Sequence, residues 1–170
     1  MTEQSVTSLL NNLTHFEVNM KQITTSIVAG FGAAVAIGLL AFLETSFKEI
    51  AFLMAPFGAT AVLVFGVPNS PLAQPKNVIL GHLITAFIGI FFSQLFDVNP
   101  LTLAIATGLG VSAMLLSKTT HPPAGANPIL IMLSSQGWAF LVTPVLIGSI
   151  MIVLVGKVFQ QTQTRLQPAE

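Results

Sequence analysis

The sequence predicts an all-α membrane protein, with two inverted three-segment repeats and broken half helices at segments two and five. Three observations carry this prediction. Of the 170 residues, 53% are hydrophobic and only 7% are charged, whereas soluble domains carry about a quarter charged residues. The apolar residues form segments long enough to cross a bilayer. Two of those segments are interrupted by proline and glycine, which membrane helices tolerate where protein or a watery cavity satisfies the backbone.

Composition also excludes several classes of protein. The net charge is +0, so no basic surface suggests a nucleic-acid partner. The chain has no cysteine, which excludes thiolate metal sites, disulfides and cysteine catalysis. No nucleophile, base and acid can be assembled from the remaining residues. We therefore expect no enzyme activity, no cofactor and no bound metal.

The first twenty residues differ from the rest of the chain. They lack the basic start, apolar core and small-residue cleavage site of a signal peptide. Apolar residues recur there at helical spacing, which predicts an amphipathic segment over 1–20 lying on the membrane. A polar leader is the alternative. The transmembrane domain is expected over 21–160, followed by a polar tail over 161–170.

Six apolar segments succeed one another along the transmembrane domain. They span residues 23–43, 50–67, 77–96, 101–117, 121–133 and 138–159. Repeat one covers about 23–97 and repeat two about 98–159. The second and fifth segments are the short, broken ones, and such a pair at matching positions in two halves is typical of a transport site.

The two halves share identical residues at a constant offset. Pro56 lies 67 positions before Pro123, and the offset gives eight identities. The identical positions in the first half are 56, 58, 59, 63, 78, 81, 89 and 92. Biased apolar composition is the alternative explanation. The prolines and glycines among the matches favour an internal duplication.

Charges in the loops bear on the number of crossings. Six crossings with the N-terminus inside put one set of basic residues on the inner side: Lys21, Lys76, Lys118, Lys157 and Arg165. The same arrangement puts Glu44, Glu49 and Asp97 outside, with Lys48 the one basic exception, in agreement with the positive-inside rule. Four crossings with two re-entrant segments would place Lys76 and Lys118 outside, so six are predicted.

Small residues recur every fourth position in two segments. Gly30, Ala34 and Gly38 form one such face, and Gly81, Thr85 and Gly89 form the other. Faces of this kind let membrane helices approach closely. The sequence therefore predicts helix packing along both.

No carboxylate falls inside a predicted apolar segment. Cation pumps and cation-coupled carriers usually keep acidic residues within the membrane as ligands or proton relays. A cation carrier is therefore disfavoured, although carbonyl cages remain possible.

The broken segments carry the predicted binding site. A helix that restarts after Pro56 or Pro123 exposes backbone N–H groups, which together with the helix dipole favour an anion. Gly58 and Gly125 would allow close approach of a ligand, and Thr60 would add a side-chain donor. The predicted binding residues are Pro56, Gly58, Ala59 and Thr60 in the first break, and His121, Pro122, Pro123, Gly125, Ala126 and Asn127 in the second. Proline kinks that serve packing alone are the alternative.

Two histidines and a polar loop complete the candidates. His121 could donate to an anion or change charge near neutral pH, or simply cap local carbonyls. His82 stands alone inside segment three, where a hydrogen-bonded packing role is the commoner one. Lys76, Asn77 and Lys118 are predicted to line a vestibule that attracts anions, although topology signals would explain the lysines equally well.

Two stretches of the chain resemble the HPP family of integral membrane proteins. One is His121-Pro122-Pro123-Ala124-Gly125-Ala126, and the other runs from Ser70 to His82. The resemblance covers roughly residues 23–159. It implies nitrite as the substrate and a bacterial inner membrane as the location, because cyanobacterial and plastid members are associated with nitrite transport. The family is usually described with four or five membrane helices, from which six segments depart.

Function is thus expected to be transport of a small inorganic anion, with nitrite first. A channel for another small solute and a non-transporting subunit that binds a partner are the alternatives. Because six short helices leave apolar surface in need of cover, we expect a homo-oligomer in contact with membrane lipid.

Overall fold

The structure is a computed structural model of the full chain. It describes the backbone of residues 3–47 and 50–166, and the side chains of residue 20 and of residues 22–47 and 50–161. Helix α1 runs without interruption over Glu3–Ser46. The boundary predicted at residue 20 therefore coincides with no break in the backbone. The amphipathic character of 1–20 rests on side chains outside the described residues and stays a prediction.

The second segment is broken, as predicted. Residues 51–54 have no regular secondary structure, and α2 begins at Pro56 and ends at Ala61. A π-helical turn over Val62–Gly66 continues it. Proline fits the first helical position because its missing N–H would have no partner there.

The fifth segment is also broken, but its α-helix begins later than predicted. A 3-10 helix spans Pro122–Ala126, and α5 follows over Asn127–Leu133. Two adjacent prolines at the start supply no backbone N–H, and the tighter 3-10 turn accommodates them. Asn127 is therefore the first residue of α5, one turn beyond Pro123.

Two unbroken helices lie between the broken segments. Helix α3 spans Pro75–Leu95 and α4 spans Pro100–Leu116. Asn99 caps α4, since its side chain accepts from the backbone N–H groups of Leu101 and Thr102. Both helices begin and end within two residues of the predicted segments.

The sixth segment was predicted to be continuous, and that prediction is wrong. A π-helical stretch covers Leu141–Leu146, inside which Thr143 has φ −129° and ψ 124°. Pro144 cannot donate an N–H and crowds the preceding turn, so the helix breaks there. Helix α6 then runs over Ile147–Leu166, and it extends six residues into the tail that was predicted to be polar and separate.

Three helices are long and apolar enough to cross a membrane: Gln22–Ser46, Pro75–Leu95 and Leu141–Gln161. Shorter apolar helices occupy Pro56–Gly66 and Pro100–Leu116. Residues 3–47 and 50–166 contain helices, turns and extended connections and no strand. The predicted all-α membrane fold is confirmed.

Glycines mark where the helices touch most closely. A Cβ placed on Gly89 of α3 would meet Pro128 and Ile131 of the fifth segment, and one on Gly156 of α6 would meet Val64 of the second. Ile131 and Val64 are themselves 67 positions apart. Each half of the chain thus packs its last helix against the broken segment of the other half.

We expect Gly89→Ala to lower the stability of the protein. The added Cβ would lie 2.8 Å from the Cα of Pro128, and backbone cannot move aside as a side-chain tip can. Overpacking of this kind costs about 1–3 kcal/mol. Thermal unfolding in detergent measures it, with Gly108→Ala as the control, because a Cβ at Gly108 meets nothing within 4 Å. Equal melting temperatures for the two variants would contradict the packing.

The other predicted small-residue face behaves differently. Gly81, Thr85 and Gly89 are buried between helices, as expected, whereas Gly30, Ala34 and Gly38 are exposed. A Cβ on Gly30 or Gly38 would meet nothing within 4 Å. Among the described residues, Gly30 and Gly38 meet no neighbouring helix, whereas Gly32 of α1 packs against Phe65 and Phe159.

Basic residues gather at one end of the molecule. Asn77 donates to the carbonyl of Thr120 (3.0 Å), which brings the start of α3 beside the segment after Lys118. Lys157 lines a pocket together with Pro68 and Pro75. The three exposed lysines Lys76, Lys118 and Lys157 therefore share one end.

Glu44 lies toward the opposite end and contradicts one prediction. It belongs to the last turn of α1, inside a helix long enough to span. Its Oε2 accepts from the backbone N–H groups of Phe52 (3.1 Å) and Leu53 (2.8 Å). A carboxylate thus does occur within an apolar helix, where it accepts from two N–H groups of the irregular backbone that leads into α2.

Candidate functional site

His82 lies at the centre of the molecule, in the second turn of α3. Its side chain is completely buried. The ring packs edge-on against Phe57 of α2 (centroids 5.3 Å apart) and against His121 (5.0 Å). Its two nitrogens face opposite broken segments, since Nε2 lies 2.8 Å from Thr60 Oγ1 and Nδ1 lies 3.0 Å from Asn127 Nδ2.

Thr60 joins the two histidines. Its Oγ1 lies 2.8 Å from His82 Nε2 and 3.0 Å from His121 Nε2. The hydroxyl also reaches the carbonyl of Pro56, one turn earlier in α2, at 3.2 Å. The Thr60 hydroxyl thus has three hydrogen-bond partners, His82, His121 and Pro56, but only one proton to donate.

His121 is the residue that directly precedes the 3-10 helix of the fifth segment. Its Nδ1 lies 2.8 Å from the carbonyl oxygen of Leu72. Gly81 makes room for it, because a Cβ there would lie 2.9 Å from the Cβ of His121. This position has an evident need for glycine.

Asn127 holds His82 from the other side. Its Nδ2 contacts His82 Nδ1 (3.0 Å), the His82 carbonyl (3.1 Å) and Thr85 Oγ1 (3.0 Å). The Oδ1 atom is buried without a hydrogen-bond partner in the described part of the chain. Because the His82 carbonyl can only accept, Asn127 must present its amide N–H groups to His82.

The polar centre formed by Thr60, His82, His121 and Asn127 contains part of the predicted site. Thr60, His121 and Asn127 were predicted, and the structure brings all three together. Pro56 and Pro123 are buried beside them, whereas Pro122 is exposed. Four predicted residues lie apart from the centre, because Gly58, Ala59 and Ala126 are exposed and Gly125 is half-buried.

The expected backbone donors are already used. The N–H groups of Phe57 and Gly58 donate to the carbonyls of Met54 (2.9 Å) and Ala55 (3.1 Å). Ala124 donates likewise to His121 (3.0 Å). The prediction that the restarting helices present these N–H groups to a ligand is therefore wrong, since the preceding turns satisfy them. The side-chain donors of Thr60, His121 and Asn127 are engaged as well, with neighbouring side chains and with nearby carbonyls.

Of the three residues predicted to line a vestibule, two are exposed and one is half-buried. Lys76 and Lys118 are exposed at the basic end, while Asn77 is half-buried and engaged with Thr120. Two cavities have linings that do not include any of the four residues of the polar centre. A surface groove of about 350 Å³ reaches Gly58, two residues from Thr60, and a pocket of about 50 Å³ borders Ala73, next to Leu72.

His82 and Thr85 were missed as site residues. A single histidine in an apolar helix usually packs, and nothing in its own segment pairs with it. Its position next to Gly81, one of the repeat identities, was the available signal. Among the described residues no group of three histidines and acids could hold a metal ion.

The helices and the buried polar centre together define a multi-pass membrane protein. A family model described as "HPP, transmembrane region" matches residues 18–168. The chain belongs to the HPP transmembrane family, as its two motifs predicted.

Curated relatives agree with this assignment. A transmembrane protein of Dictyostelium discoideum is 35% identical over 144 residues, 80% of this chain and 46% of the relative. Another transmembrane protein of the same organism is 29% identical over 151 residues, 82% of this chain and 52% of the relative. The chain thus spans about half the length of these relatives. No solved structure matches it.

Proposed function

We propose that this chain carries a small inorganic anion across a membrane, with nitrite as the first substrate to test. One observation carries the proposal: Thr60, His82, His121 and Asn127, all four uncharged in their ordinary neutral-pH forms, form a fully buried polar centre between the two broken segments. The hydroxyl, imidazole and amide donors, which bond to protein acceptors in this structure, would exchange those acceptors for the anion. No fixed positive charge would then hold the anion at the centre.

Helix directions support an inverted repeat. Phe57 packs against Gly148 and Val64 against Gly156, so the second segment runs in the same direction as α6. The fifth segment runs alongside α3, through the contacts of Gly81 and Gly89. Because α3 begins beside Lys157 of α6, α3 and α6 are antiparallel, and so are the two broken segments. Helix α5 begins at the polar centre with Asn127, and α2 reaches it one turn after its start, through Thr60. Two antiparallel broken helices are typical of transporters with inverted repeats.

The identity of the anion rests on the family resemblance. Nitrite is planar and offers oxygen acceptors to side-chain donors. The same resemblance suggests a bacterial inner membrane, whereas the relatives compared are from Dictyostelium. A homo-oligomer is part of the proposal, because the exposed face of Gly30, Ala34 and Gly38 on α1 leaves room for a second copy.

Uptake of nitrite into liposomes tests the proposal. Purified protein is expected to raise the rate of nitrite uptake clearly above the rate into protein-free liposomes. Asn127→Asp replaces the amide donor with a carboxyl oxygen and is expected to remove most of this gain. Ser149→Ala is the matched control, because Ser149 lies 67 positions after His82 and is buried. Its hydroxyl donates to the carbonyl of Leu146, three residues earlier, and not to the polar centre.

Three outcomes separate the candidates. Nitrite uptake no faster than into protein-free liposomes would refute the proposal. Urea uptake as fast as nitrite uptake would favour a channel for small neutral solutes, since an uncharged polar centre could serve one. Nitrate, chloride and formate in the same assay define the selectivity.

A further inference from the structure

Hydrogen-bond geometry fixes the protons of the polar centre. The carbonyl of Leu72 can only accept, so His121 carries its proton on Nδ1 and leaves Nε2 bare. The amide of Asn127 presents N–H to His82 Nδ1, so His82 carries its proton on Nε2. Thr60 Oγ1 then accepts from His82 and donates to His121. Every hydrogen in this chain of contacts has one consistent position.

The same atoms accommodate one additional proton without displacement. If His121 Nε2 is protonated, it donates to Thr60 Oγ1 instead of accepting from it. The Thr60 hydroxyl then turns to its second acceptor, the Pro56 carbonyl at 3.2 Å. Thr60 Oγ1 has two lone pairs and can accept from both histidines at once. The alternative acceptor on Pro56 is what makes the charged state of His121 compatible with this packing.

Only one proton fits. His82 and His121 lie with ring centroids 5.0 Å apart, so two positive charges there would repel strongly in a buried site. His82 is the single titratable side chain in contact with His121 among the described residues. Helices α2, α4 and α5 contain no ionisable residue, and Lys76 and Lys118 are exposed at the basic end.

From this the geometry points to proton-coupled transport: the anion crosses together with one proton carried on His121, and Thr60 is the residue that switches between the two proton arrangements. The inference rests on the proposed anion transport. One proton is taken from water on one side with the anion, and both are released to water on the other side. The proton thus supplies the positive charge that the polar centre lacks. Because one proton accompanies each anion, the complete transport cycle moves no net charge.

Paired measurements of uptake and current in the same proteoliposomes test this. For the wild type we expect nitrite uptake without a transport current. An inward tenfold proton gradient should raise the initial rate severalfold, up to about tenfold, because the proton on His121 favours binding of the anion. The rate into protein-free liposomes is subtracted, because protonated nitrite crosses bilayers unaided.

Variants at residue 60 test whether Thr60 couples nitrite uptake to the proton gradient. Thr60→Val removes the hydroxyl that accepts from protonated His121, and its remaining uptake should lose the response to the proton gradient. Thr60→Ser keeps the hydroxyl and should retain the response, as should the control Ser149→Ala. If Thr60→Val responds like the wild type, the role assigned to Thr60 is wrong.

The wild type alone decides the central point, even if Thr60→Val fails to fold. Uptake accompanied by a nitrite-dependent current and indifferent to the proton gradient would overturn proton coupling and leave anion transport standing. Absence of uptake would instead remove the proposed function itself.

Discussion

Replacing His82 by leucine is expected to abolish nitrite uptake and to lower the stability of the protein markedly. His82 is the residue on which both broken segments converge, through Thr60 and Asn127. Leucine would leave the two polar side chains buried without this partner. Each such loss costs about 1–3 kcal/mol, so the combined loss is a large fraction of the stability of a small protein.

Uptake into liposomes and thermal unfolding in detergent measure the two effects. His82→Gln should be less harmful, because an amide can still donate and accept. Ser149→Ala, at the position 67 residues later, should resemble the wild type in both assays. If His82→Leu transports and melts like the wild type, the polar centre neither binds the anion nor joins the two halves.

Chemical labelling of single cysteines is expected to give an all-or-none difference between the two sides of the membrane. The protein has no cysteine of its own, so each introduced thiol reports alone. In sealed vesicles, an impermeant maleimide should reach Lys118→Cys and Lys157→Cys from the same side. It should reach Asp97→Cys only from the other side. All three positions are exposed.

The comparison of Lys118 with Lys157 distinguishes the two topologies. Six crossings place both on one side, in keeping with the pocket that Lys157 shares with Pro75 and the bond between Asn77 and Thr120. Four crossings with re-entrant segments would place them on opposite sides. Labelling of Lys118→Cys and Lys157→Cys from opposite sides would therefore exclude the six-crossing arrangement.

Much of the fold could be predicted because lipid imposes simple rules on sequence. Apolar length located α3 and α4 to within two residues, and the prolines located both broken segments. The break at Pro144 was missed because the surrounding residues are apolar and the segment is long enough to span. A proline in a membrane helix can be tolerated or can interrupt it, and local sequence does not decide which.

The site was predictable where a break and a polar side chain coincide. Thr60, His121 and Asn127 satisfy that condition and meet in the structure. His82 does not, since it lies inside an unbroken helix and acquires its role only from residues 22 positions earlier and 45 positions later. The backbone donors were wrongly predicted because turns preceding α2 and the 3-10 helix satisfy those N–H groups, and turn geometry of that kind is not visible in composition.

The exchange of helices between the two halves has a consequence for how the chain is made. Helix α3 is synthesised well before the segment that covers Gly89, so its glycine face and His82 must enter the bilayer before Asn127 exists to meet them. A lone polar side chain in hydrocarbon is costly. The first half is therefore an incomplete intermediate that membrane insertion must protect. Its burial depends on contacts distant in sequence, which form slowly.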